Sequence, residues 1–108
     1  MESTNYPKLV EREVVFGRIT YFINLNIDFQ DGWCIYDQIK IEYDKWNYSG
    51  IVDALITFKY PIDKMQATIN NYLLDPNDVY AIEEFNKMQS WRKEAKEIAK
   101  QALEYELY

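Results

Sequence analysis

Residues 19–43, ITYFINLNIDFQDGWCIYDQIKIEY, hold two alternating runs separated by Gln-Asp-Gly, and the way these runs pair decides the fold. In the first run Ile19, Tyr21, Ile23, Leu25, Ile27 and Phe29 share one face. Arg18, Thr20, Asn24, Asn26 and Asp28 share the other, with Phe22 the exception. In the second, Trp33, Ile35, Ile39, Ile41 and Tyr43 oppose Tyr36, Gln38, Lys40 and Glu42, and Asp37 interrupts the apolar face. A period of two over such lengths predicts half-buried strands. A two-residue Asp31-Gly32 turn would set Ile27 against Tyr36, the inner face of one strand against the outer face of the next. A three-residue loop, Gln30-Asp31-Gly32, instead pairs Phe29 with Trp33, Ile27 with Ile35, Ile23 with Ile39 and Tyr21 with Ile41. It also gives Gly32 the left-handed position such loops require. The longer loop is the expectation.

Upstream, Val10, Val14 and Phe16 alternate with Glu11, Glu13 and Val15. Gly17-Arg18 suits a tight turn with Gly first, pairing Phe16 with Ile19 and Val14 with Tyr21. The competing reading runs this segment into the next strand through a bulge at Gly17. Two to three antiparallel strands are therefore expected over residues 10–43.

Downstream the period lengthens. Ser49 can cap a helix over 49–59 carrying Ile51, Val52, Leu55, Ile56 and Phe58. Pro61 disfavours helical geometry at Tyr60 and ends it. A second helix over 62–74 places Ile62, Met65, Ile69, Tyr72 and Leu73 at helical spacing. Asp75, Pro76 and Asp78 then form a start signal for a third, over 76–105. Its apolar stripe is Ile82, Phe85, Met88, Trp91, Ala95, Ile98, Ala102 and Tyr105, spaced by threes and fours. Strands followed by helices, without β-α-β alternation, predict a single α+β domain over 1–108, its antiparallel sheet covered on one face by helices.

The third helix is too long for the body that carries it. About thirty residues rise roughly 45 Å, against a radius of gyration near 13 Å for a compact chain of this size. Part of it must project or dock. From Ala95 onward its stripe narrows to small residues, so the C-terminal half is the part expected to leave the domain or to meet another chain. The expected contact residues are Trp91, Arg92, Ala95, Lys96, Ile98, Ala99, Lys100 and Ala102. Arg92, Lys96 and Lys100 form a basic column there, which reads either as a docking strip or as a solvated face with Lys93–Glu97 and Lys100–Glu104 pairs.

Composition narrows the function. The chain has 108 residues and a formal charge of −6, shared evenly between its halves, so neither end is a basic arm or an acidic tail. An acidic surface repels phosphate backbones, and nucleic-acid binding is not expected. With no His, the commonest general acid/base and metal ligand is missing, and Cys34 stands alone. No catalytic, metal or cofactor motif is expected. No stretch approaches about 18 consecutive apolar residues, so no membrane association is expected. Asp37, flanked by Ile35 and Ile39, is the one candidate for a perturbed carboxylate. Tyr36, Tyr48, Tyr80 and Tyr108 fall outside the clear stripes, where interfaces favour tyrosine.

From Lys59 to Leu103 the wording KYPIDKMQATINNYLLDPND, followed by EEFNKMQSWRKEAKEIAKQAL, resembles small uncharacterised proteins encoded by tailed phages and prophages of gut bacteria. The resemblance implies a mobile-element origin and a place in the bacterial cytoplasm or the virion. The expectation is a non-enzymatic interaction or assembly module that associates through its long helix, with a protein partner or a second copy. The alternative is an acidic inhibitor that imitates nucleic acid, favoured if Asp28, Asp31, Glu42 and Asp44 cluster on one side of the sheet.

Overall fold

A computed structural model describes residues 2–3 and 7–105. The elements are β1 (Glu2–Ser3), β2 (Val10–Val15), β3 (Arg18–Gln30), β4 (Trp33–Glu42), a 3₁₀ turn (Tyr43–Lys45), α1 (Tyr48–Lys59), α2 (Ile62–Leu74) and α3 (Val79–Glu104). The three long strands form an antiparallel meander, and the two-residue β1 adds to the far side of β4, giving the order β1-β4-β3-β2. The architecture is α+β, strands first and helices after, as the order of periodicities predicts.

The β3–β4 pairing combines both loop readings. At the tip, Gln30 pairs with Trp33, Phe29 with Cys34 and Asp28 with Ile35, so the turn is the two-residue Asp31-Gly32, both at positive φ. Between Leu25 and Asp28 the register then shifts through a bulge at which Asn26 adopts a φ of 54°. One extra residue on β3 restores the expected Ile23–Ile39 and Tyr21–Ile41 pairs. The three-residue loop is thus corrected, and with it the expected Phe29–Trp33 and Ile27–Ile35 pairs, while the inner-face register is kept below the bulge. Asn is among the few residues that accept the left-handed region.

The β2–β3 turn is also displaced by one residue. Phe16-Gly17 occupies it, Val15 pairs with Arg18 and Val14 with Ile19, in place of the expected Phe16–Ile19 and Val14–Tyr21 pairs. The parity still holds: Val10 and Val14 share the face of Ile19, Tyr21 and Ile23.

One face of the sheet carries the core. Val10, Tyr21, Ile23, Ile39 and Ile41 meet Ile51, Val52, Leu55 and Ile56 of α1 and Met88, Trp91, Ala95, Ala99 and Ala102 of α3. Trp46 stacks on Tyr21 at 4.2 Å between ring centroids, which closes the sheet end where the chain enters α1. Asn47, not Ser49, caps α1 by accepting a hydrogen bond from the Gly50 amide at 2.8 Å. Gly50 is required there, because a Cβ would collide with the Lys45 carbonyl. On the opposite face Asn24 is fully buried: its Nδ2 donates to the Lys8 carbonyl at 2.8 Å, its Oδ1 accepts from Gln38, and its amide donates to Leu9. These bonds hold the segment preceding β2 onto the sheet.

The small residues of α3 face inward. Ala95, Ala99 and Ala102 are buried in the core, and Trp91 Nε1 donates to the Leu55 carbonyl at 2.9 Å. This corrects the expectation that the stripe after Ala95 leaves the domain. Small side chains let a helix approach its neighbours closely, and here the close neighbour is α1 of the same chain. Enlarging one of these side chains should therefore overpack the core. Ala99→Leu is expected to destabilise the fold by about 1–3 kcal/mol, read as a lower thermal midpoint, whereas an outward-facing Ala99 would tolerate the change.

Candidate interaction surface

α1 and α2 together are as long as α3. α1 has 12 residues and α2 has 13, and α3, running antiparallel to both, has 26. The C-terminal half of α3 lies along α1 and shares its core with the sheet, while its first ten or so residues lie along α2. α2 itself packs on α3 and hardly touches the sheet. Residues 62–90 thus form a two-helix arm that extends from the domain, and the molecule measures 50 × 37 × 22 Å with a radius of gyration of 16.4 Å. The long helix does project, but from its N-terminal end.

Local chemistry fixes the arm. The Tyr72 and Phe85 rings stack at 4.3 Å, and Lys64 Nζ sits 4.8 Å from the Tyr60 ring centroid. At the tip the Asp75 carboxylate accepts from the Asn77 amide, closing a turn, and Asp78 caps α3 by accepting from Tyr80 N at 2.8 Å and Ala81 N at 3.2 Å. The third helix therefore starts at Val79, three residues later than expected, because the second of two competing aspartates takes the cap. No residue of α2 is fully buried. Leu73, Leu74, Val79 and Tyr80, at 69, 86, 73 and 80 % exposure, give the tip an apolar surface.

The arm has two dissimilar sides. On one, Lys64, Ala67, Thr68, Asn71 and Leu74 of α2 and Tyr80, Ala81 and Glu84 of α3 line a cleft with Asp75 and Asp78. At 100° per residue, the other side presents Ile62, Gln66, Ile69 and Leu73 of α2 beside Val79, Ile82, Asn86 and Gln89 of α3. Val79, Ile82 and Asn86 share a groove along α3 with Glu83, Lys87, Ser90, Glu94 and, from the end of α1, Lys59 and Tyr60, so this side mixes apolar and charged residues.

The expected contact residues divide accordingly. Trp91, Ala95, Ala99 and Ala102 are spent on the chain's own core, Arg92 and Ile98 are half-buried, and Lys96 and Lys100 are exposed. Lys100 pairs with Glu97 at 3.6 Å instead of the expected Glu104. Tyr80 and Tyr48 are exposed as expected of contact tyrosines, Tyr36 is buried, and Tyr108 lies outside the described residues. Ile62, Leu73, Leu74 and Val79 were not anticipated as surface; the Leu73-Leu74 pair beside a Pro-containing turn is the signal that could have marked them.

A second exposed apolar spot lies at the other end of the molecule. Phe16, fully exposed, sits in the β2–β3 turn at a φ of 51°, with Val14, Val15 and Tyr43 exposed around it. That backbone region favours Asn or Gly over an aromatic residue. The neighbouring edge strand β2 carries Glu11, Arg12 and Glu13, charges that deter sheet-to-sheet pairing.

Asp37 is partly exposed at the sheet margin and accepts from Asn26 Nδ2 at 2.7 Å, and Cys34 is buried. Among the described residues no group of three or more His, Cys, Asp or Glu could hold a metal ion, and no helix is long and apolar enough to cross a membrane. Asp28 and Asp31 lie at the β3–β4 turn, whereas Glu42 and Asp44 lie at the opposite end of β4, where Lys40 pairs with Glu42 at 3.5 Å. No family model, curated protein or solved structure matches the chain.

Two expectations follow from single side chains. Phe16→Asn relieves the turn and should stabilise the protein by about 1 kcal/mol, or roughly 4–8 °C in its thermal midpoint; an unchanged or lower midpoint would contradict the strain. Tyr36 has its pKa raised above the usual 10.0 by burial first, then by Glu11 and Cys34. A raised folded-state pKa means that stability is complete below the unfolded value and falls as pH climbs through the folded one. Alkaline unfolding beginning above about pH 10, and blunted in Tyr36→Phe, is the expected titration.

Proposed function

We propose that the chain is a non-enzymatic interaction module of the assembly or structural kind, encoded by a phage or prophage, and that it docks through the arm formed by α2 and the first half of its long helix. The observation that carries this reading is the tip of the arm, where Leu73, Leu74, Val79 and Tyr80 are exposed together on a projecting element, with Ile62 exposed at the start of α2. Contiguous apolar surface of this kind marks binding sites on folded chains. The resemblance of residues 59–103 to phage-encoded proteins coincides with the arm and with the helix that continues it.

Nucleic-acid mimicry gains less support. Its carboxylates would have to stand in a row, but Asp28 and Asp31 are separated from Glu42 and Asp44 by most of the length of β4, with Lys40 between. Over some eight strand residues that is a gap of roughly 26 Å.

Cross-linked capture in a bacterial host tests the proposal. The combined Leu73→Glu and Val79→Glu substitutions should weaken recovery of bound protein by about thirtyfold, the loss expected of an interface hot spot, while Phe16→Asn leaves it unchanged. Recovery of host nucleases that is indifferent to the arm substitutions would contradict it.

A further inference from the structure

Two aromatic residues that the packing of the chain leaves unexplained meet on the outer face of the sheet. Phe22 is the apolar exception in the outward row of β3, among Arg18, Thr20 and Asn24, and it is half-buried there. Phe16 is fully exposed in the adjoining turn at a φ of 51°. Both line one hollow of about 550 Å³, together with Arg18, Thr20 and Lys40, and Glu13 and Val15 complete its wall. The core helices α1 and α3 pack on the other face, so the hollow opens where the sheet is bare. Backbone strain at an exposed residue that gains no burial is a reason to look for a ligand beside it.

The charge of the hollow is the reverse of the chain's. Arg18 and Lys40 stand with one lining carboxylate, Glu13, in a protein of net charge −6. Lys40 pairs with Glu42 at 3.5 Å, whereas the Arg18 guanidinium has no ion pair or hydrogen bond among the described residues. A free guanidinium offers a planar fork that matches a carboxylate or phosphate, and a phenyl face takes a flat ring against it. From Arg18 to Phe22 the strand rises about 13 Å. That is room for one ring and one acidic group.

The flanking residues restrict the occupant further. Glu13 and Glu42 stand on either side of Thr20, and Glu11 lies across from Phe22, whereas Arg18 is paired with the uncharged Val15. A row of phosphates laid along β3 would meet these carboxylates, but a single anionic group at Arg18 stays at the end of the row that they leave free. We propose that the hollow binds a small aromatic anion, its ring against Phe22 and Thr20 and its carboxylate or phosphate in the Arg18 fork, with Phe16 shielding that ion pair from water. The strained turn is then kept for the aromatic side chain it carries. This site lies on the sheet and is independent of docking through the arm.

Titration of the full chain with phenyl phosphate, followed by amide chemical shifts, tests the proposal. Saturable shifts should be confined to Glu13–Val15, Arg18–Phe22 and Lys40, with a Kd of about 1 mM, ordinary for so small a ligand. Inorganic phosphate and phenol, each alone, should bind about tenfold more weakly or worse, because each makes half of the contact. A short oligothymidylate should also bind more weakly, since its further phosphates meet Glu11 and Glu42. Arg18→Gln should weaken phenyl phosphate by about tenfold with an unchanged thermal midpoint, since the side chain is exposed and unpaired. Phe16→Asn should weaken binding while raising the midpoint, which separates loss of the site from loss of the fold. Shifts that are absent, that centre on the arm or that survive Arg18→Gln would overturn the proposal. So would inorganic phosphate or the oligonucleotide binding as tightly as phenyl phosphate, because the site would then recognise charge without the ring.

Discussion

The close approach of α3 to α1 sets everything that lies beyond it. Ala95, Ala99 and Ala102 bring the helix backbone against the core, and the bond from Trp91 Nε1 to the Leu55 carbonyl fixes its position along α1. Once that half is anchored, a continuous 26-residue helix must run on past the end of α1. Pro61 breaks α1 from α2 but α2 continues alongside α3, so the overhang is paired rather than bare. The arm is a consequence of a tight contact elsewhere.

The sheet tolerates two local departures for the same end. Asn26 at positive φ inserts a bulge that turns the inner-face residues of β3 back into step with β4. Without it, the two-residue Asp31-Gly32 turn would set Tyr36 against Ile27 and Gln38 against Leu25, and the face under the helices would mix polar with apolar. Phe16 occupies a conformation that its side chain does not favour, and it gains no burial in return. Of the two, only the bulge has a structural reason within the chain.

Much of this was legible from the sequence. Alternation located β3 and β4, and parity placed the correct faces inward up to the bulge; beyond it Phe29 and Ile35, expected inside, are exposed, and Cys34 and Tyr36, expected outside, are buried. Pro61 and Asp75 bounded α2 at the positions where it starts and ends. The bulge could not be read, because a period of two contains no mark for an inserted residue, and Asn26 is polar on the face expected to be polar. The start of α3 was misplaced because Asp75 and Asp78 are both competent caps and only the backbone chooses between them. The direction of projection was read backwards for a plainer reason. A stripe of alanines suits an exposed contact with another chain as well as a tight contact within one, and the deciding neighbours, Leu55 and the sheet, lie far away in sequence.

The surface that follows is apolar at the tip of the arm, where Leu73, Leu74, Val79 and Tyr80 are exposed beside Asp75 and Asp78. The central claim is that α3 is divided, its C-terminal half fixed in the core and its N-terminal half free to bind. Amide hydrogen exchange of the dilute chain tests this most directly. Protection should be greatest from Trp91 to Ala102 and distinctly lower through α2 and from Val79 to Lys87, the ordering expected when local stability follows burial. Slow exchange in the arm together with rapid exchange after Ala95 would contradict the account, since it would mean that the helix leaves the domain at its other end.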